Sequence, residues 1–74
     1  MSPKFREVRA LEAIKAFIRA GGQERAGKGD HVNIKMPNGR IVTLRGVGIV
    51  RIGLLKKLIK VAGISDGEFE RLLK

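Results

Sequence analysis

The chain has 74 residues and no cysteine, and its 16 lysines and arginines outnumber its seven acidic residues to give a net charge of +9. A chain this short buries only about 60% of its unfolded surface, so we predict one domain over residues 1–74. Without cysteine, disulfides and thiolate metal sites are excluded, which suits a reducing compartment such as the cytoplasm. No apolar run reaches the roughly 18 residues of a membrane span, and the charged start MSPKFREVRA is unlike a signal peptide.

The first predicted element is a helix from about Pro3 to Ala20. Its apolar residues recur at helical spacing and are Val8, Leu11, Ile14 and Ile18. The glycine pair Gly21-Gly22 ends the helix, because glycine is favoured just after a helix C-terminus. The phenylalanines fall in predicted helical segments, so we expect them in the core, and they are Phe5, Phe17 and Phe69.

A β-hairpin is predicted next. Its first strand has apolar residues at every second position, which are Val32, Ile34 and Met36. The turn Pro37-Asn38-Gly39 follows, in which proline presets φ and glycine accepts a left-handed conformation. The second strand runs from Arg40 to about Arg45.

The three-residue loop sets a register that decides where the only histidine of the chain points. On one face this register pairs Met36 with Arg40, Ile34 with Val42 and Val32 with Leu44. On the other face it pairs His31 with Arg45, Asn33 with Thr43 and Lys35 with Ile41. We therefore predict that helices cover the apolar face and that His31 lies outside the core, on a basic surface of the sheet.

Three further elements are predicted after the hairpin. Residues 46–52 are β-branched with glycine interruptions and predict a turn and a short third strand. A second helix covers residues 54–62 and ends at Gly63. Ser65 and Glu68 form a capping box that opens a short last helix. The inward-facing residues of that helix are predicted to be Phe69, Leu72 and Leu73. The order α-β-β-β-α-α indicates an α+β fold.

The basic charge is concentrated in the middle of the chain. Residues 25–60 contain nine lysines and arginines but a single acidic residue, Asp30, for a net charge of +8. Such a surface favours a polyanion or an acidic protein as partner, because each neutralised phosphate releases counterions. A basic surface also keeps a small protein soluble. We interpret the lysines of the second helix as a solvated face of this kind, and they are Lys56, Lys57 and Lys60.

Several of these stretches together resemble the HicA toxin family, over roughly Ile14 to Leu73. The stretches are Gly29-Asp30-His31, the turn Pro37-Asn38-Gly39-Arg40, Gly53-Leu54-Leu55, Ala62-Gly63-Ile64-Ser65 and Glu68-Phe69. The resemblance implies a fold like that of double-stranded-RNA-binding domains, α-β-β-β-α, with a three-stranded antiparallel sheet and helices packed on one face. It also implies an mRNA interferase, the toxin of a type II toxin–antitoxin system active in stress response, which a HicB-type antitoxin neutralises.

The functional motif of that family is Gly-x-His, and it maps here onto Gly29 and His31. Its middle residue is commonly Ser or Thr in the family, whereas this chain has Asp30. The resemblance thus implies that His31 is the catalytic residue, with Gly29 and Asp30 as support.

The residues around His31 also suit metal-free RNA cleavage on chemical grounds. RNA carries its own nucleophile, the 2′-hydroxyl, so cleavage needs a proton acceptor, cations near the phosphate and a proton for the leaving oxygen. Histidine titrates nearest neutrality, and we predict His31 as general base or acid. The residues predicted to bind phosphate are Lys28, Lys35 and Arg45. The second proton transfer falls to Lys28, Asp30 or water, and no metal or small-molecule cofactor is predicted.

Each of these assignments has a simpler alternative. His31 is then an ordinary surface residue, Gly29 serves only a turn, and Asp30 caps the hairpin or pairs with Lys28. The chain as a whole is then a non-catalytic RNA-binding module of the same fold, in which His31 contacts RNA without cutting it. A membrane-surface peptide built on LLKKLIKV is disfavoured, because that helix needs its apolar face for the core.

Overall fold

A computed structural model of the chain describes residues 7–73, and in that range the chain forms five strands and three helices. The strands are β1 (Val8–Arg9), β2 (Gln23–Ala26), β3 (His31–Lys35), β4 (Ile41–Arg45) and β5 (Ile49–Val50). The helices are α1 (Ala10–Arg19), α2 (Ile52–Ala62) and α3 (Asp66–Leu72). The order α1-β2-β3-β4-α2 confirms the predicted α+β class with a three-stranded antiparallel sheet.

The hairpin β3–β4 has the predicted register. Its residue pairs are His31 with Arg45, Val32 with Leu44, Asn33 with Thr43, Ile34 with Val42 and Lys35 with Ile41. The turn closes with the Gly39 amide donating to the Met36 carbonyl at 2.9 Å, and Gly39 has the left-handed φ of +87° that a side chain disfavours. Ile34 and Val42 are fully buried, so the alternating pattern identified the face that packs on the helices.

The short strand predicted within residues 46–52 forms as β5 (Ile49–Val50), but it is not the third strand of this sheet. The sheet order is β2-β3-β4, so the third strand precedes the hairpin. β5 pairs instead with β1 in a separate two-stranded sheet. β2 has the sequence QERA and is exposed at every position. An edge strand of this kind is held by backbone hydrogen bonds and leaves no apolar alternation in the sequence.

The first helix is shorter than predicted and buries a different face. Residues 8 and 9 form β1 rather than helix, because their backbone pairs with β5 and the Ala10 amide donates to the Gly48 carbonyl at 2.9 Å. Residues 3–6 of the predicted helix lie outside the described range. The buried face consists of Ala10, Ala13, Ile14, Ala16 and Phe17. Leu11, by contrast, is 63% exposed. Small alanines allow α1 to approach its neighbours closely, and the pattern of large apolar residues did not show this.

The core lies between the helices and the inner face of the sheet. Phe17 of α1 and Phe69 of α3 are fully buried, with ring centroids 4.9 Å apart, as expected for two of the three phenylalanines. Phe5 lies outside the described residues. α2 packs against β4 and contributes Leu55, Leu58, Ile59 and Ala62 to the core. The helices therefore cover one face of the sheet and leave the other to solvent.

The last two helices begin and end through local signals. α2 ends at Gly63, which has φ +78°, and α3 begins at Ser65, whose hydroxyl accepts a hydrogen bond from the Glu68 amide at 3.1 Å. Both features confirm the prediction, as does the burial of Phe69, and Leu72 and Leu73 are half-buried beside it. Across residues 7–73, no helix has the length and apolar character needed to cross a lipid bilayer.

Candidate functional site

The uncovered surface of the three-stranded sheet carries the residues that the sequence singled out. We call this surface the outer face, and by register it comprises Gln23, Arg25, His31, Asn33, Lys35, Ile41, Thr43 and Arg45. Asn33 is half-buried and the others are exposed. Three of the eight residues are lysine or arginine and none is acidic, so the outer face presents positive charge to solvent.

The loop between β2 and β3 places His31 at one end of this face. A Cβ atom on Gly27 would collide with the main-chain carbonyl of His31, so the loop closes only with glycine there. Gly29 has φ +62°, the left-handed conformation that glycine adopts without steric cost. The His31 amide donates to the Lys28 carbonyl at 3.0 Å, which fixes the main chain of the histidine as the first residue of β3.

The ring of His31 is oriented by the same loop. Its Nδ1 atom lies 3.2 Å from the Lys28 carbonyl oxygen, and the side chain is 54% exposed. A carbonyl oxygen only accepts hydrogen bonds, so Nδ1 carries the hydrogen in this contact. In the neutral ring the lone pair then resides on Nε2. The contact with Lys28 therefore leaves Nε2 as the nitrogen that can accept a proton from another molecule.

Asp30 connects this loop to the end of β4. Its Oδ2 atom accepts two hydrogen bonds from the Arg45 guanidinium, from Nε at 3.2 Å and from Nη2 at 2.8 Å. Its main-chain carbonyl accepts from the Gly46 amide at 2.6 Å. The hydrogen bonds from Arg45 hold the pKa of the Asp30 carboxyl below its usual value of 3.8, although partial desolvation opposes them. The structure thus pairs Asp30 with Arg45 rather than with Lys28.

The remaining carboxylate oxygen of Asp30 faces the histidine. Oδ1 lies 3.6 Å from Nδ1 of His31, beyond hydrogen-bond length but within ion-pair range if the imidazole is protonated. One carboxylate thus faces Arg45 with one oxygen and His31 with the other. These three side chains form a connected group at the His31 end of the outer face.

Not all of the predicted site residues are gathered here. Lys28 belongs to the loop and contributes its carbonyl to the histidine, while Lys35 lies at the opposite end of β3, about 13 Å along the strand from His31. Lys35 borders instead a shallow depression of about 220 Å³ together with Arg25 and Gln23. The outer face therefore has a histidine end and a lysine end.

Sequence reasoning missed the two residues that β2 adds to the outer face, Gln23 and Arg25. Arg25 lies opposite Asn33 on β2, and the Thr43 hydroxyl donates to the Asn33 side-chain oxygen at 2.7 Å. Arg25 could be placed only once β2 was known to be a strand. Asn33 and Thr43 were already predicted to be cross-strand partners on this face, and the hydrogen bond between their side chains agrees with that pairing. Within residues 7–73, no three His, Asp or Glu side chains group in a way that could hold a metal ion.

The chain matches a known protein family. A family model described as the HicA toxin of bacterial toxin–antitoxin systems matches residues 10–64. The matched range is more than half of the chain and contains the whole outer face and the loop before His31. No curated protein matches this chain.

Proposed function

Because this chain belongs to the HicA toxin family, we propose that it is a toxin that cleaves mRNA without a metal ion and uses His31 for proton transfer. One observation carries this proposal. The Lys28 carbonyl occupies Nδ1 of an exposed histidine and leaves Nε2 as the proton acceptor, at the end of a basic sheet surface.

The reaction follows from the chemistry of RNA. Nε2 of His31 accepts the proton of a 2′-hydroxyl, whose oxygen attacks the adjacent phosphorus. The bond from phosphorus to the 5′-oxygen breaks, and that oxygen takes a proton from a neighbouring acid. The products are a 2′,3′-cyclic phosphate and a 5′-hydroxyl. With one histidine at the site, the second proton comes from water, from Lys28 or from the imidazolium itself, so we expect slow turnover. Asp30 is a poor proton donor, because the hydrogen bonds from Arg45 lower its pKa.

Cationic side chains of the outer face support the binding of the substrate. The hydrogen bonds to Asp30 use two of the five guanidinium donors of Arg45, so the others can face a phosphate next to His31. Arg25 and Lys35 border the depression at the other end of the face. We propose that the scissile phosphate binds near Arg45 and Lys28, and that a flanking part of the strand binds near Lys35.

The same surface suits the second proposed partner. A HicB-type antitoxin with an acidic surface would neutralise the toxin by covering the outer face, because opposite charges would meet there and Nε2 of His31 would be shielded from RNA. Both partners, mRNA and antitoxin, place the proposed activity in the cytoplasm, where it would act in a stress response.

The test compares RNA cleavage by the wild-type protein and by His31→Ala in EDTA, with products mapped by primer extension and RNA binding measured in parallel. We expect cleavage to fall about 10²- to 10⁴-fold in His31→Ala. RNA binding should stay within about twofold, because lysine and arginine side chains supply the contacts with phosphate. The matched control is Ile41→Ala, a change on the same exposed face that removes no proton-transfer group.

Two outcomes would contradict the proposal. If neither protein cuts RNA while both bind it, the chain is a non-catalytic RNA-binding module. If His31→Ala cuts as fast as the wild type, the proton transfer belongs to another group, and the orientation of the His31 ring has no catalytic purpose.

A further inference from the structure

We propose that Asp30 is a positioning residue, which holds the His31 ring with one carboxylate oxygen and the Arg45 guanidinium with the other. This inference rests on the proposed function and adds a role for the position where the chain departs from the usual Ser or Thr of its family. Its basis is the geometry at the start of β3, where the Asp30 carboxylate lies between the His31 ring and the Arg45 guanidinium.

The main chain of Asp30 is fixed independently of its side chain. The Gly46 amide donates to the Asp30 carbonyl at 2.6 Å, which ties the loop before β3 to the residue after β4. The Cα atom that carries the carboxylate is therefore held in place between the start of β3 and the end of β4. A short, branched acid at this point reaches both neighbours, so its position does not depend on a long mobile side chain.

On the histidine side, the carboxylate supplements the contact with the Lys28 carbonyl. Both acceptors lie near the same ring nitrogen, at 3.2 Å for the carbonyl oxygen and 3.6 Å for Oδ1 of Asp30. The carbonyl oxygen accepts the hydrogen bond, and the nearby carboxylate adds an electrostatic preference for a hydrogen on Nδ1, so both favour the tautomer that has its lone pair on Nε2. When Nε2 takes a proton, the nearby negative charge also offsets the positive charge that develops on the ring.

On the arginine side, the two hydrogen bonds to Oδ2 restrict the guanidinium to one direction. The Arg45 side chain is 67% exposed, so without these bonds it would sample many rotamers. Held by Asp30, the guanidinium lies beside the histidine at the cross-strand position. This arrangement places a cation next to the proton acceptor before the substrate arrives.

The negative charge of Asp30 also has an unfavourable effect, because it repels a phosphate group. The carboxylate is 39% exposed, and solvent and salt weaken that repulsion. Positioning and repulsion predict opposite effects of removing the charge. If positioning dominates, the neutral variant is slower; if repulsion dominates, the neutral variant is faster and binds RNA more tightly.

The decisive variant is Asp30→Asn, which keeps the shape and removes the charge. We expect kcat to fall about 10- to 100-fold, since a misplacement near 1 Å in a reacting group costs about 10²-fold. KM should stay the same or decrease, because a repulsive charge is gone. The loss should appear in kcat and not in KM, a split that a merely structural role would not produce. Asp30→Glu, which restores the charge, should recover part of kcat.

The matched control is Asp66→Asn, which removes the same charge at the start of α3, where its partner is Lys56. We expect wild-type kcat and KM for this variant. Thermal unfolding of each variant shows whether it is folded. A kcat for folded Asp30→Asn that equals or exceeds that of the wild type would overturn the proposal.

A second readout separates this inference from the proposed function. The nitrogen chemical shifts of the His31 ring report its tautomer in the absence of RNA. We expect the Nδ1-protonated form to dominate in the wild type and the two tautomers to mix in Asp30→Asn. An identical tautomer in both proteins would overturn the positioning role even if neither protein cleaves RNA. A tautomer change in a protein that does not cut would refute only the proposed function.

Discussion

At the start of β3, individual polar atoms decide what a single histidine can do. The Lys28 carbonyl and the Asp30 carboxylate approach one side of the His31 ring, while Arg45 bonds to the far oxygen of that carboxylate. All of these groups are exposed, so each interaction alone contributes little to stability. In the proposed function they matter through their direction, because they would set the tautomer of the His31 ring and the place of the Arg45 guanidinium.

The link between Asp30 and Arg45 has a consequence in acid. A carboxyl whose pKa is lower in the folded than in the unfolded state stabilises the folded state above its unfolded pKa, and this contribution is lost as pH falls through the lowered value. For Asp30 the loss begins near pH 3.8, its ordinary value, and continues below it. Arg45→Gln should raise the pKa of Asp30 toward 3.8, because it removes the dominant cause of the shift.

NMR titration of the Asp30 side-chain carboxyl measures this change directly, with the Asp66 carboxyl as the internal control that should not respond to Arg45→Gln. The difference in the free energy of unfolding between wild type and variant should also shrink as pH falls below 3.8. An Asp30 pKa that is the same in both proteins would mean that the bridge to Arg45 does not persist in solution.

At the scale of secondary structure, the size of the side chains on α1 decides which face of this helix is buried. The buried face has three alanines, Ala10, Ala13 and Ala16, next to Ile14 and Phe17. Leu11 and Ile18 are at least partly exposed instead. Because α1 must approach both α3 and the sheet, small residues fit the contact where large ones would force the elements apart.

This orientation predicts effects of different size for two substitutions in one helix. Ala13→Leu should destabilise the protein by about 1–3 kcal/mol, because it inserts three carbon atoms into a fully buried position. Leu11→Ala should change the free energy of unfolding by no more than about 0.5 kcal/mol, since that side chain is mostly in solvent. Urea unfolding of the two variants measures both effects. A larger loss for Leu11→Ala than for Ala13→Leu would show that the helix buries the other face.

At the scale of the whole molecule, the division between a covered and an uncovered sheet face separates stability from proposed function. The helices bury the apolar side chains of β3 and β4, and the opposite side of the same strands presents the histidine and the cations. Successive side chains of a strand point to opposite faces, so some residues of β3 pack in the core and the others lie on the outer face. Part of the net charge of +9 therefore lies on the outer face, which takes no part in the core.

The salt dependence of RNA binding tests whether this surface meets the phosphates. For single-stranded RNA the slope of log K against log salt is about −0.7 for each phosphate contact. The double variant Arg25→Gln with Lys35→Gln should therefore reduce the magnitude of the slope by about 1.4. Lys15→Gln, an exposed change on α1, should leave it unchanged. An equal reduction by Lys15→Gln would indicate non-specific attraction by net charge instead of binding at the outer face.

Several features of the fold were readable without coordinates because their signals are local. The alternation in β3, the turn at Gly39 and the cap at Ser65 each depend on residues within a few positions of one another. The register of the hairpin follows from the length of its loop, and from that register follow the exposure of His31 and its position opposite Arg45.

The sequence by itself therefore determined the hairpin, the faces of its strands, the second and third helices and the surface position of the histidine. Only the tertiary structure decided that β2 is the third strand, that β1 pairs with β5, which side of α1 is buried, and that Asp30 bonds to Arg45. These four features depend on backbone hydrogen bonds or on partners distant along the chain. Such contacts impose no period on the residues that make them, and so they leave no pattern in the sequence.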